Sequence, residues 1–203
     1  PESGGEAWER CVDGRSLPSS YNPESGYLVS ANNRPPPAEV PVGYFFAPEG
    51  RAARLAELLE AQPNITFEDL RALQTDVVEP AAAAINRALV ESAERLGLER
   101  NLTRQARSVL TTMADWDGSY EADSPVPVAF EAAFFHFLRY FYAPRLGEDG
   151  LRAFITAADL GRTVPHDIAA EHDDILTQVL ASALQDAVPA VKKFATWGDM
   201  HRV

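Results

Sequence analysis

The segment "VPVAFEAAFFHFLRYFYAP", residues 126–144, constrains this chain more than any other. It is helical in propensity and apolar almost all round, so it predicts a central helix that other helices must cover. The flanking sequence supplies them. "PEGRAARLAELLEAQ" puts Leu55, Leu58 and Leu59 on one helical face, with Pro48 and Glu49 at a natural helix start. In "NITFEDLRALQTD", Thr66 is followed three residues later by Asp69, close to a capping box, and predicts a helix start. "AAAAINRALVESAERLG" reads as a strong helix stopped by Gly97. "NLTRQARSVLTTMADW" adds another. "GEDGLRAFITAADLG" and a single long stretch "VPHDIAAEHDDILTQVLASALQDAVPAVKKF" complete a set of about six. The expected class is mainly α.

Residues 1–48 have a different texture, rich in Pro, Gly, Ser and Asn. Their one strand signal is "GYLVSA", because Tyr27, Leu28 and Val29 favour a pleated backbone. The expected organisation is therefore a short β or extended arm over 1–48 and a multi-helix domain over 49–203. At 203 residues the chain is large enough to bury roughly 70% of its unfolded surface without a staple. Cys11 is the only cysteine, which excludes an internal disulfide. A net charge of −12 argues against a nucleic-acid backbone as partner. No apolar run approaches the ~20 residues of a membrane span. The lack of an initiator Met, and a carboxyl end "ATWGDMHRV" that still reads as structured, suggest a piece of a longer chain.

Several residues carry chemistry that a bland role explains better. His166 and His172 in "HDIAAEHDD" fall on roughly opposite faces of one expected helix, whereas a zinc pair wants a spacing of three or four. Asp167, Glu171 and Asp174 share a stripe there, but acids early in a helix are favoured by its dipole alone. His136 reads as a hydrogen-bonded core histidine rather than a buried base. Cys11 lacks a neighbouring histidine or cation cluster that would activate it. The triplets Asn64–Thr66 and Asn101–Thr103 match glycan acceptors only formally. Pro1 offers an amine that serves as a base only at a processed, buried terminus, and the "ESGGE" that follows argues against one.

"NPESGYLVSANNRP", residues 22–35, remains. Turn signals surround it, and "NNRP" is a plain way to end a strand. Its chemistry also suits an oxyanion hole, since a carboxamide N–H on a rigid strand end can face developing negative charge.

The order of motifs then carries more than any one of them. "SLPSSYNPESGYLVSANNRP", "GRAARLAELL", "TFEDLRALQTD", "ADWDG" and "TWGDMHRV" follow one another over nearly the whole chain. In this the chain resembles the β-chain of the penicillin amidase family, which comprises penicillin, cephalosporin and acyl-homoserine-lactone acylases and belongs to the N-terminal-nucleophile hydrolases. The resemblance implies a fragment excised from an αββα hydrolase of amide bonds to small acyl groups. It implies that Asn32 donates to the oxyanion and that Arg51 supports it, with Arg54 the alternative one turn on. Asn33 is expected to bond nearby backbone.

The departures matter as well. The family nucleophile is a serine at a self-cleaved amino terminus, and nothing here matches it, so it is expected outside these residues. Calcium belongs to the intact family enzyme, but Glu39 and Glu49 do not align with its ligands, and no cofactor or metal is assigned to this chain. The interval between the Asn and Arg motifs is shorter than in the best-known penicillin acylases, so the acyl-amide substrate is not inherited. The expected partners are the remainder of the same enzyme and a small acyl-amide substrate, in the periplasm or medium of a bacterium. The competing reading is a non-catalytic, acidic helical interaction module.

Overall fold

The computed structural model describes residues 11–202. Contacts divide the chain into two compact units, Pro1–Phe67 and Glu68–Val203. Among the described residues the regular structure is helical: α1 (Gly50–Glu60), α2 (Phe67–Leu73), α3 (Pro80–Arg95), α4 (Arg104–Met113), α5 (Val126–Ala157), α6 (Leu160–Ala170), α7 (Asp173–Lys193) and α8 (Trp197–Met200). The mainly α class expected from periodicity is the class observed.

In the second unit the stop and start chemistry works as the residues dictate. Pro80 opens α3, where a missing N–H costs nothing, and the Glu79 carboxylate accepts from the Ala81 N–H at 3.1 Å. Gly97 ends the helix in the left-handed region, φ 64°. Thr103 caps α4 by accepting from the Ala106 N–H at 3.2 Å. Buried faces of α3, α4, α5, α6 and α7 then form one apolar core, with α5 packed on α4 and α7, and α3 on α6. Phe130 and Phe137 of α5, Val164 of α6 and Leu176 of α7 are almost fully buried. Gly161 lets α6 approach α3 closely, because a Cβ there would lie 2.6 Å from the Ala81 Cβ.

Three expectations need correction. The stretch from Val164 to Phe194 is two helices, not one: α6 ends at Ala170 and α7 starts at Asp173. Helix α6 packs on α3, while α7 packs on α4 and α5, and one straight helix cannot follow both directions. Glu171 at the break accepts from the His172 N–H at 3.0 Å and pairs with Arg145 of α5, while Asp173 and Asp174 occupy the favourable first turn of α7. Second, Pro144 lies inside α5, and its helical dihedrals fail at Gly147, φ 72° and ψ 170°, so the segments expected as two helices meet at a kink. Helix α5 is central, although Phe135 leaves one flank open, 54% exposed.

The third correction concerns the arm. Residues 26–31 form no strand, and the sole β pairing among the described residues is an isolated antiparallel bridge between Val78 and Ser119. Extended propensity in Tyr27–Val29 becomes a strand only when a neighbour supplies the hydrogen-bond ladder. None is present among the described residues. Instead the Tyr27 hydroxyl donates to Glu60 at the end of α1, which belongs to the same unit.

Candidate functional site

Ala31, Asn32 and Asn33 make a tight turn in which the Ala31 N–H and the Ala31 and Asn32 carbonyls all have hydrogen-bond partners. Asn32 adopts φ 61°, the left-handed region that Asn tolerates better than most residues with a side chain. Four hydrogen bonds surround it. Arg51, in the first turn of α1, donates from Nη2 to the Ala31 carbonyl at 2.8 Å and to Asn32 Oδ1 at 3.2 Å. The Ala47 N–H donates to the Asn32 carbonyl at 2.8 Å. The Ala31 N–H donates to Asn33 Oδ1 at 3.2 Å, the backbone role expected of Asn33. Ala31 is the one buried residue among those described in the first unit, at 7% exposure.

This geometry orients the carboxamide. A guanidinium only donates, so the Asn32 atom facing Arg51 is its acceptor oxygen, and the NH2 group turns away from it. Asn32 and Arg51 are both exposed, so the free N–H donors are open to whatever faces the turn. The alternative cation, Arg54, is paired with Glu57 at 3.0 Å along the helix. Arg34 lies with its guanidinium carbon 4.8 Å from the Phe46 ring centre, which holds the outgoing chain near the turn.

The family described as penicillin amidase matches this chain over residues 1–203. The chain belongs to the penicillin amidase family. It is also similar to the penicillin acylase 2 proenzyme of Pseudomonas sp. (strain SE83), 29% identical over 133 residues. That match takes in 64% of this chain and 16% of the relative's own length, so the chain spans only a small part of it.

Two further motifs of this penicillin amidase chain meet in the second unit. Trp116 donates from its indole to the Ser119 carbonyl at 2.9 Å, and Asp117 closes the turn by accepting from the Ser119 N–H at 2.9 Å. Gly118 has φ 90°, and a Cβ there would sit 2.6 Å from the Glu79 carbonyl oxygen, so only glycine fits. The Tyr120 ring lies 5.2 Å from the Trp116 ring and 5.1 Å from that of Trp197, at edge-on angles. Trp197 and Gly198 donate their N–H groups to the carbonyls of Ser124 and Ala122, each at 2.8 Å. "WDG" and "TWGD" are thus two halves of one aromatic junction. Tyr120, its central residue, and Glu131, which accepts its hydroxyl, did not stand out in the sequence. Burial first, and then the Glu131 charge, push the Tyr120 phenol far above its ordinary range. It stays neutral and holds its proton.

The remaining candidates separate. His166 contacts Asp167 Oδ1 at 3.2 Å on the exposed side of α6, and His172 stands at the N-cap of α7. Asp167 accepts from the Tyr142 hydroxyl at 2.9 Å, and burial together with that bond raises the phenol's pKa. The stripe of acids is thereby split between two helices. His136 is half-buried, its ring 6.1 Å from that of Tyr140, which corrects the expectation of a core histidine: the open flank of α5 keeps it at the surface. Cys11 is exposed. Pro1 lies outside the described residues. Among the described residues, no group of three or more His, Cys, Asp and Glu is arranged to hold a metal ion, and both Glu39 and Glu49 face solvent separately. No helix among the described residues is long and apolar enough to cross a membrane.

Proposed function

We propose that this chain is part of an acylase that hydrolyses the amide bond to an acyl side chain, and that Asn32 supplies an oxyanion donor. The Arg51–Asn32 contact at 3.2 Å carries this reading, because it occupies the acceptor and leaves both carboxamide N–H groups available. The nucleophile is an amino-terminal hydroxyl outside these residues, its own α-amine acting as base. As that oxygen attacks the amide carbonyl, the amine takes its proton and the carbonyl oxygen gains a full negative charge. Asn32 Nδ2 donates to that charge without bringing a competing charge of its own. The proton then passes to the departing amine, and water releases the acyl group by the same route in reverse.

Arg51 has two jobs in this scheme. It holds the amide plane, and its fixed positive charge disfavours a second positive charge nearby, which keeps an α-amine neutral and basic. Segment 1–48 belongs with the catalytic core of that enzyme, and 49–203 supplies helical structure. The partner is the rest of the same enzyme, and the enzyme works outside the bacterial cytoplasm. The identity of the acyl group lies with pocket residues beyond this chain.

The test is Asn32→Ala in the full-length enzyme. Turnover falls ~10²- to 10³-fold, the scale of one lost oxyanion donor, while the melting temperature stays near that of the parent. Unchanged turnover removes Asn32 from the mechanism. The isolated 203-residue chain hydrolyses no acyl amide.

A further inference from the structure

Asn33 does more than end a turn. Its Oδ1 accepts from the Ala31 N–H at 3.2 Å, a bond that reaches back across Asn32. The ring it closes contains the whole Asn32 backbone, and so restrains the φ of 61° that few residues with a side chain adopt. No apolar core does this work instead, because Ala31 alone is buried among the described residues of this unit. Asn32 is thus held from three sides: by Asn33 through Ala31, by the Ala47 N–H at its carbonyl, and by Arg51 at its side chain. Removing Arg51 frees the amide plane. Removing Asn33 frees the backbone that aims it.

We propose that Asn33 is a positioning residue for amide hydrolysis, acting only through the direction in which Asn32 presents its N–H groups. The proposal rests on the reading of Asn32 as oxyanion donor. An oxyanion donor must be preorganised to be effective, since a bond that has to be assembled during reaction forfeits its advantage. Loss of Asn33 therefore weakens the transition state and leaves ground-state binding of the acyl amide alone. The signature is a fall in kcat with KM unchanged.

The experiment is a double-mutant cycle in the full-length enzyme with one acyl-amide substrate. Asn33→Ala lowers kcat about tenfold, the order of one lost hydrogen bond. Asn33→Ser, whose hydroxyl accepts the same bond more weakly, falls between Ala and the parent. Added to Asn32→Ala, the Asn33→Ala change has no further effect, because the residue through which it acts is gone. Should Asn33→Ala not fold, Asn33→Ser carries the same cycle. Equal losses from the Asn33 change with and without Asn32 overturn the proposal, as does a rise in KM alone. A large loss in Asn32→Ala beside parental turnover in Asn33→Ala overturns this inference and leaves the donor role of Asn32 standing. No loss in Asn32→Ala overturns both.

Discussion

The two units of this chain are held together by different physics. Glu68–Val203 has a continuous apolar core from five helices, in which Phe130, Phe137, Val164 and Leu176 exclude water almost completely. In Pro1–Phe67, among the described residues, a single alanine is buried, and local order around Asn32 comes from four hydrogen bonds to backbone and carboxamide. Hydrophobic burial is non-directional and tolerates small displacements of any one group. Hydrogen bonds are directional and aim a particular atom. The unit whose described residues bury only one alanine is the one that presents a candidate catalytic amide in a defined direction. Stability and geometry have been delegated to different stretches of sequence.

Substitutions that separate the two properties break or sharpen this contrast. The largest stability change is expected in the second unit: Phe137→Ala costs about 3–5 kcal/mol, as deletion of a fully buried aromatic ring does. Denaturant unfolding followed by circular dichroism measures it, and a loss under about 1 kcal/mol would show that the core closes over the gap. Asn32→Ala in the first unit is its mirror image, with turnover down by about 3–4 kcal/mol in barrier and helix stability untouched. A variant of Asn32 that unfolds the helices would abolish the contrast.

Gly118→Ala comes next, at about 1–3 kcal/mol, because alanine is strained at φ 90° and its Cβ meets the Glu79 carbonyl. The same unfolding assay reads it, together with a change in tryptophan fluorescence as Trp116 and Trp197 shift on Tyr120. A stability within error of the parent would mean that the turn can open without cost to the core.

The smallest effect is electrostatic. The His172 N–H lowers the Glu171 pKa most, and the Arg145 guanidinium adds to it. A carboxylate depressed in the folded state contributes stability above its unfolded pKa, and this is lost as pH falls through its folded value. The stability of the helical unit therefore declines below the ordinary carboxylate range, and Glu171→Gln flattens that part of the curve. An identical pH profile in the variant would assign the decline to other acids. Melting temperatures from roughly pH 2 to pH 6, a window that brackets the usual carboxylate pKa of about 4.3 and extends below it, decide.

The helices were legible wherever the signal was local. Gly97 stops α3 and Thr103 caps α4 because both act on the backbone within one turn of themselves. The break between α6 and α7 was not legible, since the residues across it suit a helix throughout. What interrupts them is the pairing of Glu171 with Arg145 and two different packing partners, both distant in sequence. The strand over 26–31 failed for the converse reason: extended preference was present, and among the described residues a partner ladder was not. At the candidate site, Asn32 and Arg51 stood out through the resemblance to penicillin amidases rather than through spacing. Ala47 gave no signal, because a backbone N–H has no residue type to betray it.

By itself, then, the sequence determined that this protein is mainly helical, where most of its helices start and stop, and which family it belongs to. Those properties are written in nearest neighbours, periodicity and motif order, none of which needs a three-dimensional neighbour to be read. Only the tertiary structure decided that a guanidinium meets the Asn32 oxygen, that two tryptophan motifs share one tyrosine, and that an apparent single helix is two. Each of these joins groups far apart in the chain. Such contacts exist only after burial and hydrogen bonding elsewhere have repaid the entropy of bringing them together.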